Sequence, residues 1–205
     1  MAHGQLPELR MELLQSELPG VLLLKPRVFR DERGSFLETW RRQRYADAGI
    51  TATFVQDNAA VSRRGVIRGL HYQYPDPQGK LVMTLQGTVF DVAVDIRRGS
   101  PTFGRWTGYT LSEENGHQLW IPEGFAHGYA VLSETAVFAY KCTRAYRADA
   151  DAAIRFDDPA IGIDWPIERP LLSAKDRSAP LLADVPGCRL PQFDDSGPIT
   201  MQGVS

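Results

Sequence analysis

The sequence predicts a mainly β protein, a jelly-roll barrel with a short N-terminal helix and a C-terminal tail, and three observations lead there. From about residue 53 to 146, short strand-like runs follow one another, punctuated by Gly, Pro, Asn and Asp, the pattern of a sandwich or barrel. The clearest run, TVFDVAVDI at 88–96, alternates strictly. Phe90, Val92, Val94 and Ile96 make a wholly apolar face, and Val89, Asp91, Ala93 and Asp95 a mixed one. Strand and helix patterns nowhere alternate, and no GxGxxG or GxxxxGK[ST] loop is present, which disfavours a Rossmann or α/β-barrel fold.

In chain order, VLLLKPRVF (21–29) is the first strand candidate. LETWRRQRYADAG (37–49) is the one convincing helix, built of good helix formers and closed by Gly49 as a C-cap. TATFVQDN (51–58), KLVMTLQ (80–86), a turn at Gly87, the 88–96 run, GRWTGYTLS (104–112), HGYAVLS (127–133) and TAVFAYKCTRAY (135–146) complete the strands. The spacing predicts one domain over 1–183, followed by a Pro-, Gly- and Asp-rich tail or strap over 184–205.

Composition narrows the partners. A 205-residue chain with 43% hydrophobic and 23% charged residues is that of an ordinary globular protein. A net charge of -2 with scattered Lys and Arg gives no basic surface for nucleic acid. The amino terminus shows no apolar run of signal-peptide length, and nowhere do eighteen apolar residues follow one another, so no membrane span and a cytoplasmic setting are expected. Cys142 and Cys188 are too few for a disulfide framework or a zinc site.

The stretch RGLHYQYPDPQGK (68–80) carries the first chemistry. GLHYQ, and IPEGFAHGY with Pro122, Gly124 and His127, have the cadence of the cupin superfamily. Metal-binding cupins have a second histidine where Gln73 stands and a glutamate about where Lys80 stands. An amide is a poor replacement for imidazole, and an ammonium repels a cation, so no metal and no cofactor are expected. That leaves His71 to be explained. A lone histidine is more often a satisfied core residue, but Lys80, Tyr140 and Asp176 could join it in an acid/base set. Spacing alone does not bring them together.

The phrases FRDERGSFLETW, FVQDNAAVSRRGVIRGLHYQ, QGKLV, GTVFDVAVDIRRGSPTFGRW, LSEENGHQLWIPEGFAHGYAVLSETAVFAYK and LLSAKD together resemble the dTDP-4-dehydrorhamnose 3,5-epimerase family, in order, from about residue 17 to 180. The resemblance implies a metal-free cupin-type jelly roll, a homodimer, and a nucleotide-linked 4-keto-6-deoxyhexose inverted at both carbons beside its ketone. By its match to GLHYQ, His71 is expected to be the base. Asp176, in SAKD, would orient it, Tyr140, in FAYK, would be the acid on the opposite face, and Lys80, in QGK, would stabilise the enolate. Arg33 and Arg68 match diphosphate positions. Phe36, Glu38, Gln56, Asn58 and Tyr146 match positions around the nucleoside and sugar, and His127 and Lys175 match supporting ones. In the family some of the N-terminal residues of this set come from the neighbouring subunit.

Strand parity adds two expectations. In a regular strand Phe138, Tyr140, Cys142, Arg144 and Tyr146 share a face. Arg68 and His71 have opposite parity, which a bulge at Gly69, or Arg68 reaching from the strand end, would reconcile. A single-carbon epimerase, a silent nucleotide-sugar-binding cupin and a metal-dependent cupin isomerase stand as the alternatives.

Overall fold

The structure is a computed structural model that describes residues 11–194; the readings of residues 1–10 and of the tail beyond 194 lie outside the described residues. Its elements are β1 (Glu12–Gln15), β2 (Leu22–Lys25), β3 (Phe29–Asp31), β4 (Gly34–Phe36), α1 (Arg42–Asp47), β5 (Gln56–Arg63), β6 (Ile67–Gln73), β7 (Lys80–Gln86), β8 (Thr88–Asp95), β9 (Trp106–Ser112), β10 (Gln118–Ile121), β11 (Phe125–Val131), β12 (Thr135–Cys142), β13 (Asp151–Ala153) and α2 (Ala174–Arg177). Strands β1-β2-β10-β7-β12-β5 form one antiparallel sheet and β13-β6-β11-β8-β9 the other, with β3 and β4 a separate hairpin. This is the jelly roll that the strand runs predict.

Three apolar layers hold the two sheets. Inside the barrel, Val82, Phe138 and Ile121 from one wall meet Val89, Ala93, Tyr129 and Val131 from the other. The wholly apolar face of 88–96 points the opposite way. Val92, Val94 and Ile96 lie outside the five-stranded sheet, under Ile154, Ile161, Leu182, Val185 and Leu190. The strap is therefore packed as far as it is described. Phe193 donates its N–H to the Arg98 carbonyl at 2.9 Å, and the Arg97 guanidinium lies over Phe125 and Phe193. The third layer, Leu24, Tyr45, Ile50, Leu81 and Trp120, lies under α1.

Several elements differ from the sequence expectation for identifiable reasons. Pro26 divides the 21–29 run between β2 and β3, because it lacks the N–H a ladder needs. The helix covers only 42–47. The Thr39 carbonyl accepts from Gln118 Nε2 at 2.9 Å instead of from a following turn, and Gly49, with φ at +88°, lies just past the helix end. Strand β5 begins at Gln56, five residues later than expected. Strand β12 ends at Cys142, so Arg144 and Tyr146 leave the face they were expected to share with Tyr140. Helix α2 was not expected; the Ser173 hydroxyl caps it by accepting from the Asp176 N–H at 3.1 Å, and the S-x-x-D spacing was its signal.

Candidate active site

Two facing walls carry the polar groups of the barrel interior. On the five-stranded wall, His71 projects inward from β6 while its neighbours Leu70 and Tyr72 pack outward. Its Nε2 lies 2.5 Å from Asp176 Oδ1; the imidazole is 34% exposed and the carboxylate 3%. The imidazole is thus partly exposed while its carboxylate partner is buried. Burial would raise the Asp176 carboxyl, but hydrogen bonds from His71, Ser173 and the Gly69 backbone, with the charge of His71, hold it below the usual carboxylate range. A carboxylate at Nε2 fixes the tautomer and leaves Nδ1 with the free lone pair.

The Arg68 and His71 parity is settled by a bulge. Across from β6, His127 pairs with His71 and Tyr129 with Arg68, so Gly69 and Leu70 together face Gly128. Gly69 has φ at +133°, and a Cβ there would lie 2.5 Å from the Gly128 Cα, so only glycine fits. The bulge turns Arg68 toward the interior, where its Nε donates to Ser62 Oγ at 3.0 Å.

The six-stranded wall presents Lys80 from β7, Tyr140 and Cys142 from β12, and Gln56, Asn58 and Ser62 from β5. Register sets Tyr140 between Asn58 and Val82, and Cys142 between Gln56 and Lys80. Burial raises the Tyr140 phenol, with Cys142 and Tyr129 adding to the shift and Arg68 opposing it, so the phenol keeps its proton at neutral pH. Burial lowers the Lys80 ammonium, against the pull of Cys142, Asp91 and Asp151. Gln56 Nε2 donates to Asn58 Oδ1 at 3.0 Å, and Gln56 Oε1 accepts from the Tyr146 N–H at 2.7 Å. Tyr146 is 57% exposed, and its hydroxyl and the Lys175 ammonium both reach Asp151 Oδ2, at 3.2 and 2.5 Å.

Ten of the thirteen expected residues therefore gather around one interior: His71, Asp176, Tyr140, Lys80, Arg68, His127, Gln56, Asn58, Tyr146 and Lys175. Three do not. Arg33 and Phe36 stand on the β3–β4 hairpin, the Arg33 side chain 85% exposed and paired with Asp31, Phe36 71% exposed. Glu38 is held by Arg44 at 2.6 Å. Asp91, Tyr129, Ser62 and Asp151 line the same interior without a distinctive phrase to mark them. For Asp91 the signal was an acid on the mixed face of an otherwise apolar strand. Gln73 is a staple for the loops instead: its amide donates to the Asp76 carbonyl at 2.7 Å and accepts from the Arg147 N–H at 2.8 Å.

A jelly roll with an oriented imidazole on one wall, and a phenol and an ammonium on the other, defines a cupin-type isomerase built for proton transfer. Comparison with known proteins makes this specific. The sequence profile of dTDP-4-dehydrorhamnose 3,5-epimerase matches residues 15–184. The dTDP-4-dehydrorhamnose 3,5-epimerase of Salmonella typhimurium is 53% identical over 84% of this chain and 96% of its own. That of Neisseria gonorrhoeae is 54% identical over 81% of this chain, which spans 51% of that longer relative. The crystal structure of the dTDP-6-deoxy-D-glucose-3,5-epimerase of Legionella pneumophila, in complex with dTDP-4-keto-L-rhamnose, superposes with a TM-score of 0.88 at 49% identity, covering 90% of this chain and 100% of that one. The chain belongs to the dTDP-4-dehydrorhamnose 3,5-epimerase family.

Proposed function

We propose that the protein inverts carbons 3 and 5 of dTDP-4-keto-6-deoxy-D-glucose, giving dTDP-4-keto-L-rhamnose for deoxysugar biosynthesis. One observation carries the reading: the His71–Asp176 pair and Tyr140 stand on opposite walls of one interior. A proton beside a ketone is removable because the charge left behind spreads onto the oxygen as an enolate. Inversion then needs a base on one face of the ring and an acid on the other. His71 takes the proton through Nδ1, and Asp176 stabilises the imidazolium that results. Lys80 supports the enolate oxygen as a fixed positive charge. Tyr140 returns a proton from the far side. No cofactor enters these steps.

Arg68 at the mouth suits a diphosphate. The exposed hairpin with Arg33 and Phe36, and the uncovered Val61 and Leu85 on the outside of the six-stranded sheet, support a homodimer in which each hairpin serves the partner's site. The unpaired thiols Cys142 and Cys188 suit a cytoplasmic setting, and no helix among the described residues is long and apolar enough to cross a membrane. The test couples the protein to a dTDP-4-dehydrorhamnose reductase and follows NADPH consumption. Turnover of dTDP-4-keto-6-deoxyglucose that disappears in His71→Ala supports the reading, and turnover that survives in His71→Ala removes His71 as the base.

A further inference from the structure

Each inversion leaves an imidazolium at His71 and a tyrosinate at Tyr140. A second inversion on the same sugar needs His71 to release its proton and Tyr140 to regain one, and a proton passed from one wall to the other does both at once. On the five-stranded wall, beside His71, lie buried groups that the steps above do not use. Tyr129 is 4% exposed and its hydroxyl makes no hydrogen bond of normal geometry, although Ser62 lies beside it. Asp91, fully buried, is its register partner on β8, and Asp91 Oδ1 is likewise without a partner. Directly paired residues on antiparallel strands point to the same side with Cβ atoms about 5 Å apart. Two orphaned polar atoms thus face the interior from adjacent positions, the situation in which a buried water is found.

The ends of this pair reach both walls. Asp91 Oδ2 lies 2.9 Å from His127 Nε2, and His127 is the register partner of His71. The Tyr129 ring stacks on Phe138 at 4.0 Å between centroids, and Phe138 lies 6.1 Å from Tyr140. The charge of Lys80 is felt at Asp91 and His127, and that of Arg68 at both phenols.

We propose that His127, Asp91 and Tyr129, bridged by buried water, pass a proton from His71 to Tyr140 between the two inversions. The inference rests on the epimerase reading. His71 loses one proton and Tyr140 gains one; His127, Asp91 and Tyr129 each accept one and release one, ending unchanged. Burial raises the Asp91 carboxyl against the opposing influence of His127 and Lys80, which eases its brief protonation.

Tyr129→Phe removes one oxygen and keeps the ring stack. A hydroxyl without a partner contributes no bond to stability, so its loss leaves Tm unchanged or raised. In heavy water the variant is expected to wash out the proton at the first carbon at the wild-type rate, while doubly inverted product forms on the order of tenfold more slowly. Asp91→Asn, which keeps an acceptor for His127, should show the same split. Wild-type double inversion in folded Tyr129→Phe overturns the relay. An equal loss of washout and inversion overturns it too, because the defect then lies at the base. A wild-type protein that exchanges neither carbon overturns the epimerase reading itself.

Discussion

Burial alone would push the Asp176 carboxyl up, yet the bonds from His71, Ser173 and Gly69 hold it down, and this has a consequence for stability. A depressed folded-state pKa stabilises the native protein above the ordinary aspartate value of about 3.9, and that stabilisation is lost as the pH falls through the folded value. Between pH 5 and pH 3 the Tm of Asp176→Asn should therefore fall less than that of the wild type, measurable by thermal scans in matched buffers. Lys80 is 9% exposed and its charge is felt at Asp91 on the opposite sheet. Removing a preorganised charge from a developing oxyanion lowers kcat by about 10²–10³, so Lys80→Met should show that loss in steady-state kinetics with KM little changed. Tyr140→Phe should still exchange a proton at the substrate carbons while failing to invert them. The residue types were legible in the sequence, because GLHYQ, QGK, FAYK and SAKD are distinctive phrases. Their convergence was not: His71 and Asp176 are 105 positions apart, and no local periodicity links residues at that distance.

Strand β6 shows at the scale of an element how backbone geometry serves the site. Its bulge places Arg68 and His71 on one side of a strand that would otherwise separate them, and only glycine at position 69 permits it. Gly69→Ala combines a side chain at φ +133° with a contact of 2.5 Å to backbone. Backbone strain and overpacking together amount to roughly 2–5 kcal/mol. Urea denaturation should show a loss of that size, and activity should fall further than Tm does, since both His71 and Arg68 are misplaced. Parity arithmetic exposed the conflict at Gly69 in advance, but only the pairing with β11 resolved it. The long strands are legible for a different reason: β8 and β11 are apolar-rich runs bounded by turn residues, and both are buried over most of their length. The short elements are not. Helix α2, of four residues, lies below the length at which periodicity speaks, and α1 is cut short by a side chain, Gln118, from 79 positions away.

On the scale of the whole molecule, the proposed homodimer would give the three residues missing from the interior a place in the partner's site. The Arg33 hairpin is a separate two-stranded sheet tied to the Glu114 carbonyl through Arg30, and Val61, on the β5 edge, is 67% exposed. Sedimentation should give about twice the 22.9 kDa chain mass, and Val61→Asp should move the protein toward monomer at micromolar concentration. If Arg33 serves the partner's site, mixing His71→Ala and Arg33→Ala chains should create hybrid sites with both residues intact, and activity beyond that of either variant alone. Monomeric wild-type protein at full activity would rule this arrangement out. The expectation of a dimer comes only from the family resemblance, because exposed Arg and Phe residues in a short hairpin look like ordinary surface to any reading of pattern. The decisive measurement is proton NMR of dTDP-4-keto-6-deoxyglucose incubated with the protein in heavy water. Loss of the signals at both carbon 3 and carbon 5, with L-configured product, is the expected result; persistence of both signals would contradict the epimerase reading, and loss of only one would contradict double inversion.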